Sequence, residues 1–502
     1  MKMWLEILVM CLVLCGVVSA QMRPNIVVLL ADDMGYGEVQ ALNPDRCIVP
    51  TPNLDRLVHE GMTFTDGHSG ASVCTPSRYA LMTGRYCWRT LRAAGVGRGP
   101  TRYGGCMIVP DRMTLGTLLR DQGYKTAFIG KWHQGFSSKG GSQVDAATVL
   151  GDDTHRPKLP AIGIQVGNTP YFRGFDYFFG YDNSGCLNWL VENDRVAQHC
   201  GSSLVTSTLC QRAAKYVDKI AAEKTDQPFF LYVAVNSPHL PIAPSKEWRG
   251  KSSLGIYGDF VMEMDWAFGL VIKALERSKL LDNTMLIFSA DNGFCPRADE
   301  INAESRRDGK TFEHLGHFPS GINRGNKGDL YEGGHRVPFL LRWPQGRVKA
   351  GSTCGELVCL NDLMATFADL LGAKLPDNVG EDSFSMLPIL RGEKGFRDNV
   401  VHHTLSGNFA IRKGDWKILF PGNKTEKIPD SQVYNLNRDR SENKDVFDKF
   451  PEVEGGLVRT MDDLVSRGRS TLGKPQPLER EINYRLTPRE NIVGEGAKKP
   501  KK

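Results

Sequence analysis

Polar side chains follow apolar, β-branched runs at several points in this sequence: Asp32 and Asp33 after Asn25 to Leu30, Lys131 and His133 after Thr126 to Ile129, His239 after Phe229 to Val235, and Asp291 and Asn292 after Thr284 to Ser289. In open α/β sheets, ligands bind beyond the carboxyl ends of the strands, so runs that end alike could bring these side chains to one rim. Asp32, Asp33, Asp291 and Asn292 offer only hard oxygen ligands. Such a set favours Ca²⁺, and less well Mg²⁺, over zinc, and the roomier shell of Ca²⁺ suits a bulky oxyanion. Taken singly, each of these residues is equally compatible with a solvated loop or a helix cap.

The sharpest local signal is Cys74-Thr75-Pro76-Ser77-Arg78. Pro76 suits the first turn of a helix, which places residue 74 at a helix N-terminus, where unpaired N–H groups and the macrodipole favour an anion. Arg78, one turn later, could present a planar donor fork to it. On these residues alone, a plain catalytic thiolate or a buried cysteine stays open.

With Leu81-x-Thr83-Gly84-Arg85 following, this segment resembles the signature of the type I, formylglycine-dependent sulfatases of the alkaline-phosphatase-like superfamily. The likeness runs from Pro24 to about Pro344 and more weakly beyond, through Gly130-Lys131-Trp132-His133, Gly325-Asn326-Lys327-Gly328, Tyr331-Glu332-Gly333-Gly334 and Arg336-Val337-Pro338. The resemblance implies that a formylglycine-generating or sulfatase-maturating enzyme oxidises Cys74 to formylglycine, whose hydrate is the nucleophile. It implies that Asp32, Asp33, Asp291 and Asn292 hold the cation with that hydrate, and that Arg78 and Lys131 grip its oxygens and the sulfate. His133 would assist deprotonation, while His239 and Lys327 would face the bridging oxygen. Ser184 aligns with a serine that contacts the hydrate in some members, and Asn183 is the alternative.

The residue types suit that chemistry. A sulfate ester is an anion attacked by oxygen, so cations on its equatorial oxygens and a metal at the nucleophile lower the barrier. The second hydroxyl of an aldehyde hydrate can collapse to the carbonyl and expel sulfate; a serine could not do this.

Strands alternating with helices, such as Leu115 to Leu119 and Val261 to Leu275, position these groups and indicate an α/β fold: a large mixed sheet sandwiched by helices. From about Gly395 the texture changes to a hairpin turning at Lys413-Gly414-Asp415, a short strand at Val433 to Leu436 and a closing helix at Val453 to Val465. The expected division is a signal peptide at 1–20, a catalytic domain at 21–395, a C-terminal α+β antiparallel subdomain at 396–485 and a basic tail at 486–502.

Composition narrows the class further. The chain has 502 residues, 41% hydrophobic and 24% charged, which is ordinary for a globular protein, and much of its +6 net charge sits in the terminal lysines. Without a basic and aromatic stripe, no nucleic-acid partner is expected. The apolar run Ile7 to Val18 before Val18-Ser19-Ala20 reads as a cleaved leader rather than a membrane anchor, so a secreted or periplasmic protein is expected, lysosomal or extracellular if eukaryotic. Of twelve cysteines, Cys186, Cys200 and Cys210 crowd one segment and are either bridged or buried thiols.

Asp153, His155 and His314 are candidate substrate contacts; His314 and His317 could line a substrate pocket but read first as solvated loop histidines, His402 and His403 are similar candidates, and Glu38 reads as a tolerated change near the site. The expected substrate is a sulfated carbohydrate, of glycosaminoglycan or sulfated-galactan type. Rival readings are a formylglycine-dependent phosphonate monoester or phosphodiester hydrolase, an arylsulfatase for small aryl sulfates, and a binding protein with a decayed site.

Overall fold

The run Asn25–Asp32 is buried at every position, as a strand covered on both faces must be. It lies at the heart of a ten-stranded sheet in the computed structural model, which describes residues 23–90, 106–138, 159–306, 308–404, 407–421, 430–479 and 481–485. The expected leader, Asp153, His155 and the basic tail fall outside the described residues.

Parallel pairing runs unbroken from Thr284–Ala290 through Asn25–Asp32, Phe229–Pro238 and Lys125–Lys131 to Tyr177–Tyr181. All these strands therefore point their carboxyl ends to the same rim. Antiparallel strands close both sides: Phe339–Arg342 pairs with Thr284–Ala290, and Trp189–Glu192 with Tyr177–Tyr181. Successive strand residues face opposite ways, and the aromatic contacts follow. Phe229 meets Tyr216 of the helix Val205–Ala222, while Phe230 meets Phe367 of the helix Leu363–Leu370. Helices therefore cover both faces, as expected from the sequence.

The expected hairpin forms from Phe409–Lys413 and Trp416–Leu419, joined across Gly414 at φ 57°. With Asn399–His403 and Gln432–Asn435 it makes a four-stranded antiparallel sheet. Helix Pro451–Arg467 supplies Leu457, Met461 and Leu464 to a core shared with Ile411 and Ile418, and Tyr86 and Trp88 enter it from the segment after Cys74–Thr83. Cys186, Cys200 and Cys210 are free thiols, so the crowded trio is unbridged.

One close approach governs the rim. Gly130 sits at φ 123°, and a Cβ there would lie 1.8 Å from the Ala234 carbonyl oxygen of the neighbouring strand. Only glycine lets the strand come so close immediately before Lys131. Gly130→Ala is expected to cost at least about 2 kcal/mol more than Gly123→Ala, because Gly123 also has positive φ (+83°) but its added Cβ meets nothing within 4 Å. Chemical denaturation of the two variants measures the difference.

Candidate active site

Three parallel strands each deliver a carboxylate or an ammonium to the rim. Asp32 ends its strand and Asp33 follows at φ 64°, a left-handed turn that aspartate tolerates better than most residues. Asp33 donates its backbone N–H to Asp291 Oδ1 at 3.1 Å, tying this turn to the end of Thr284–Ala290. Asn292 Nδ2 donates to Asp33 Oδ1 at 2.8 Å. Lys131, the last residue of its strand, places Nζ 2.5 Å from Asp32 Oδ2.

Cys74 begins the helix Cys74–Thr83, with Pro76 in its first turn and Gly84 closing it in the left-handed conformation at φ 67°. The Cys74 Sγ and one oxygen each of Asp32 and Asp291 lie within 4.8 Å of one another. Arg78, one turn along, donates from Nε to Asp291 Oδ2 at 2.7 Å and from Nη1 to the Lys131 carbonyl oxygen at 3.2 Å. On the other flank, Lys327 Nζ donates to Asp33 Oδ2 at 2.8 Å and His239 Nε2 lies 3.6 Å from the same oxygen. His239 Nδ1 lies 2.5 Å from the Leu240 carbonyl oxygen and 3.2 Å from Ser184 Oγ. An N–H on Nδ1 directed at the carbonyl leaves Nε2 as the atom that faces the cluster.

Charge and burial set the protonation states. Burial alone would raise Asp32, but Lys131, His239, Arg78 and Lys327 hold it well below the usual carboxylate range. Asp291 moves the other way: burial, with Asp32 beside it, lifts it despite Arg78. Burial would lower Lys327, yet Asp33 and the groups around Cys74 keep it well above the usual lysine range. Burial and then the Lys131 charge push His133 well below the imidazole range, so its ring is neutral.

The donor set fits a hard divalent cation. Asp32 Oδ1 and Asn292 Oδ1 are buried without a hydrogen-bond partner, and Arg78 Nη2 lies 3.6 Å from that Asp32 oxygen, beyond a hydrogen bond. These oxygens, with those of Asp33 and Asp291, are the ligand type that Ca²⁺ or Mg²⁺ takes, and a dication among them would offset the burial that lifts Asp291.

Of the residues expected at the site, Asp32, Asp33, Cys74, Arg78, Lys131, His239, Asp291, Asn292, Lys327 and Ser184 converge here. His133 adjoins two residues beyond Lys131, with Nδ1 buried and without a hydrogen-bond partner. Asn183 turns to its neighbours instead, donating to Asp182 Oδ2 and accepting from the Gly185 N–H. His314 is exposed and pairs with Thr311 Oγ1 at 2.6 Å. His317 is not solvated, since it is 1% exposed and packs edge-on against Phe312. Glu38 does more than tolerate its place: it accepts the Tyr257 hydroxyl at 2.5 Å and the Gly35 N–H at 2.6 Å, bracing the turn behind Asp33. The sequence signal for that brace is a buried acid in a glycine-rich turn, which has meaning only once Tyr257 is known to face it.

A mixed sheet with buried carboxylates, cations and a helix-leading cysteine at its carboxyl rim defines a hydrolase of the alkaline-phosphatase-like class. The sulfatase family model matches residues 24–373, and the model of the N-sulphoglucosamine sulphohydrolase C-terminal region matches residues 326–466. The chain belongs to the sulfatase family and is an enzyme that hydrolyses sulfate esters. It is 30% identical to an N-acetylgalactosamine-6-O-sulfatase of Bacteroides thetaiotaomicron, over 89% of this chain and 94% of that one. It is 33% identical to human arylsulfatase A, over 79% and 75% respectively. Among solved structures, a sulfatase studied for glycosaminoglycan metabolism by Bacteroides thetaiotaomicron superposes with a TM-score of 0.74 at 27% identity, covering 88% of this chain and 99% of that one. Ps i-CgsB in complex with k-i-k-neocarrahexaose superposes with a TM-score of 0.67 at 27% identity, covering 88% and 92%.

Replacing Lys131 by Met strands the buried Asp32 carboxylate and removes a cation from the site. Sulfate-ester turnover is expected to fall by roughly 10²–10³-fold. Stability should fall by about 3 kcal/mol or more, as when one partner of a buried pair is lost. Steady-state rates and unfolding curves of the purified variant check both.

Proposed function

We propose that this sulfatase removes a sulfate ester from a sulfated saccharide of glycosaminoglycan or sulfated-galactan type, using formylglycine made from Cys74 and a Ca²⁺ ion held by Asp32, Asp33, Asp291 and Asn292. The observation that carries this reading is the meeting of Cys74 at a helix N-terminus with the Asp32 and Asp291 carboxylates inside a ring of cations. Support for a saccharide comes from relatives. The N-acetylgalactosamine-6-O-sulfatase is matched along nearly its whole length, and a neighbouring structure holds a neocarrahexaose.

Formylglycine supplies a geminal hydrate, one hydroxyl to attack sulfur in line with the leaving alcohol and a second to release sulfate afterwards. The cation would favour an ionised nucleophile and neutralise sulfate oxygens. Arg78 and Lys131, already aimed at this point, bind and orient the sulfate group. His133, neutral because it is buried beside Lys131, can accept a proton near the nucleophile. Lys327 and His239 stand together on the Asp33 side, where they meet the bridging oxygen, and Ser184 holds the His239 ring through Nδ1. With Nδ1–H held by the Leu240 carbonyl, His239 would act on the departing alcohol as the doubly protonated ring, giving up its Nε2 proton and returning to the neutral Nδ1–H form.

Cys74 conversion requires a formylglycine-generating or sulfatase-maturating enzyme in the producing cell, and the apolar run before Ala20 serves export to the periplasm, the exterior or a lysosome. No helix among the described residues is long and apolar enough to cross a membrane.

A positional panel of sulfated mono- and disaccharides should release sulfate with the natural chain and none with Cys74→Ala. Free cleavage of aryl sulfates with no release from any saccharide sinks the carbohydrate reading, and an unmodified cysteine in fully active enzyme, seen by peptide mass spectrometry, sinks the nucleophile. Chelation should lower the melting temperature and Ca²⁺ should restore it better than Mg²⁺. The gain is about 2.7 kcal/mol at a hundredfold excess over Kd, and it should vanish in Asp291→Ala.

A further inference from the structure

Three imidazoles outside the catalytic rim are buried together: His68 and His335 are wholly inaccessible and His402 is 1% exposed. The rings of His335 and His402 stack with centroids 3.4 Å apart and 10° between their planes, and His68 lies 5.2 and 5.4 Å from them. One nitrogen from each lies within 4.8 Å of the others. Stacked parallel rings direct their in-plane lone pairs side by side rather than to a common point, so the trio is not shaped to share a metal ion.

Its hydrogen bonds point to a different role. Lys417 Nζ lies 3.2 Å from His335 Nε2, which also lies 3.1 Å from the Leu330 carbonyl oxygen. His335 Nδ1 and His68 Nδ1 lie 3.0 Å apart, and His68 Nε2 lies 2.8 Å from Asp66 Oδ1. The row runs from the C-terminal sheet to the catalytic sheet. Each end is anchored: Lys417 by Glu332 at 3.0 Å and Glu442 at 2.8 Å, and Asp66 by Arg336 at 2.8 Å and Arg412 at 2.7 Å.

From this cluster, bonds reach the segment that leads into Cys74. His402 Nε2 donates to the Ser69 carbonyl oxygen at 3.1 Å, and the His403 carbonyl oxygen accepts the Ser72 hydroxyl at 3.0 Å. Ser69 N–H donates to the His335 carbonyl oxygen at 2.8 Å, and the Ser72 carbonyl oxygen accepts Gly328 N–H, beside Lys327, at 2.9 Å. One strand of the C-terminal sheet thus holds both ends of Ser69–Ser72, and that segment holds the Lys327 loop.

We propose that His402, backed by His335 and Lys417, is a positioning residue that sets Cys74 and Lys327 for the sulfatase reaction, making the C-terminal sheet part of the active-site support. This rests on Cys74 being the nucleophile. The support is also sensitive to acid. The charged groups facing the rings are Asp66, Glu332, Glu442, Lys417, Arg336 and Arg412. Burial holds His68 below the usual imidazole range, and it holds His335 and His402 well below, with Lys417 acting next on His335 and His335 next on His402. A histidine kept neutral in the fold binds protons more weakly than the unfolded chain does. Its contribution is therefore complete above about pH 6.5 and is lost progressively as pH falls below that value.

The test uses the full chain with Cys74 converted, on any sulfate ester it cleaves. His402→Phe keeps a ring against His335 but cannot bond Ser69, and Lys417→Met removes the first donor of the row. Both should lower kcat by about tenfold or more with KM within about twofold, as a misplaced nucleophile does. The deficit should persist below pH 6.5, because the folded rings stay neutral until well below that value, whereas the melting temperature of the natural chain should fall more steeply below about pH 6.5 than that of His402→Phe. Lys413→Ala, on the exposed edge of the same hairpin, should match the natural enzyme. His402→Asn serves should the Phe variant be unfolded at the assay temperature, which thermal melts reveal. Folded His402 variants with the natural kcat and pH profile overturn the proposal, as does a loss of activity that only tracks a loss of folded protein. Activity surviving in Cys74→Ala instead defeats the nucleophile reading, whatever the His402 variants do.

Discussion

Everything at the carboxyl rim answers to one constraint, the burial of Asp32, Asp33 and Asp291 within bonding reach of one another. Carboxylates so placed repel each other and lose their hydration, a cost of several kcal/mol per charge unless cations stand against them. Arg78, Lys131 and Lys327 stand there, each from a different part of the chain. The same arrangement that holds Asp32 well below the usual carboxylate range gathers Arg78, Lys131 and Lys327 near the Cys74 end of its helix, where an oxyanion belongs. Support and chemistry are thus one set of interactions. A change that relaxes the charge balance also displaces the groups that act on sulfate.

The parallel sheet exists to hold those charges in register. Hydrogen-bonded parallel strands leave no freedom in where their ends fall, and the close contact of Gly130 with Ala234 removes what little Lys131 would have. Behind the rim, the Glu38 to Tyr257 bond braces the turn after Asp33. Each device is buried, and each acts on a residue one to five positions away in sequence.

A second buried charge cluster fastens the smaller sheet to the larger one. Glu332 begins the short helix Glu332–His335 that follows Lys327 and Arg336 caps it, Asp66 lies just ahead of the segment leading to Cys74, and Arg412 and Lys417 come from the C-terminal hairpin. Tyr86 and Trp88 bury apolar surface at the same junction. Polar pairing fixes the relative placement of the sheets and apolar burial supplies adhesion, since buried ion pairs contribute little net stability by themselves.

Much of this was legible in the sequence. Short apolar, β-branched runs predict buried strands, a proline two residues after Cys74 predicts a helix start, and the strand-terminal placement of Asp32, Lys131 and Asp291 predicts a common rim; local patterning carries all of these because hydrophobic period and turn chemistry act over a few residues. Tertiary structure alone decided which partners the polar residues took. Glu38 and Tyr257 are 219 positions apart, Lys417 and Glu332 85, and His402 and the Ser69 carbonyl 333. No local pattern encodes such pairings, so His317 and His402 read as loop histidines and are in fact buried. A buried polar side chain must find a partner or bear the desolvation cost, and which partner it meets depends on how the sheets and loops pack, a property of the folded chain as a whole.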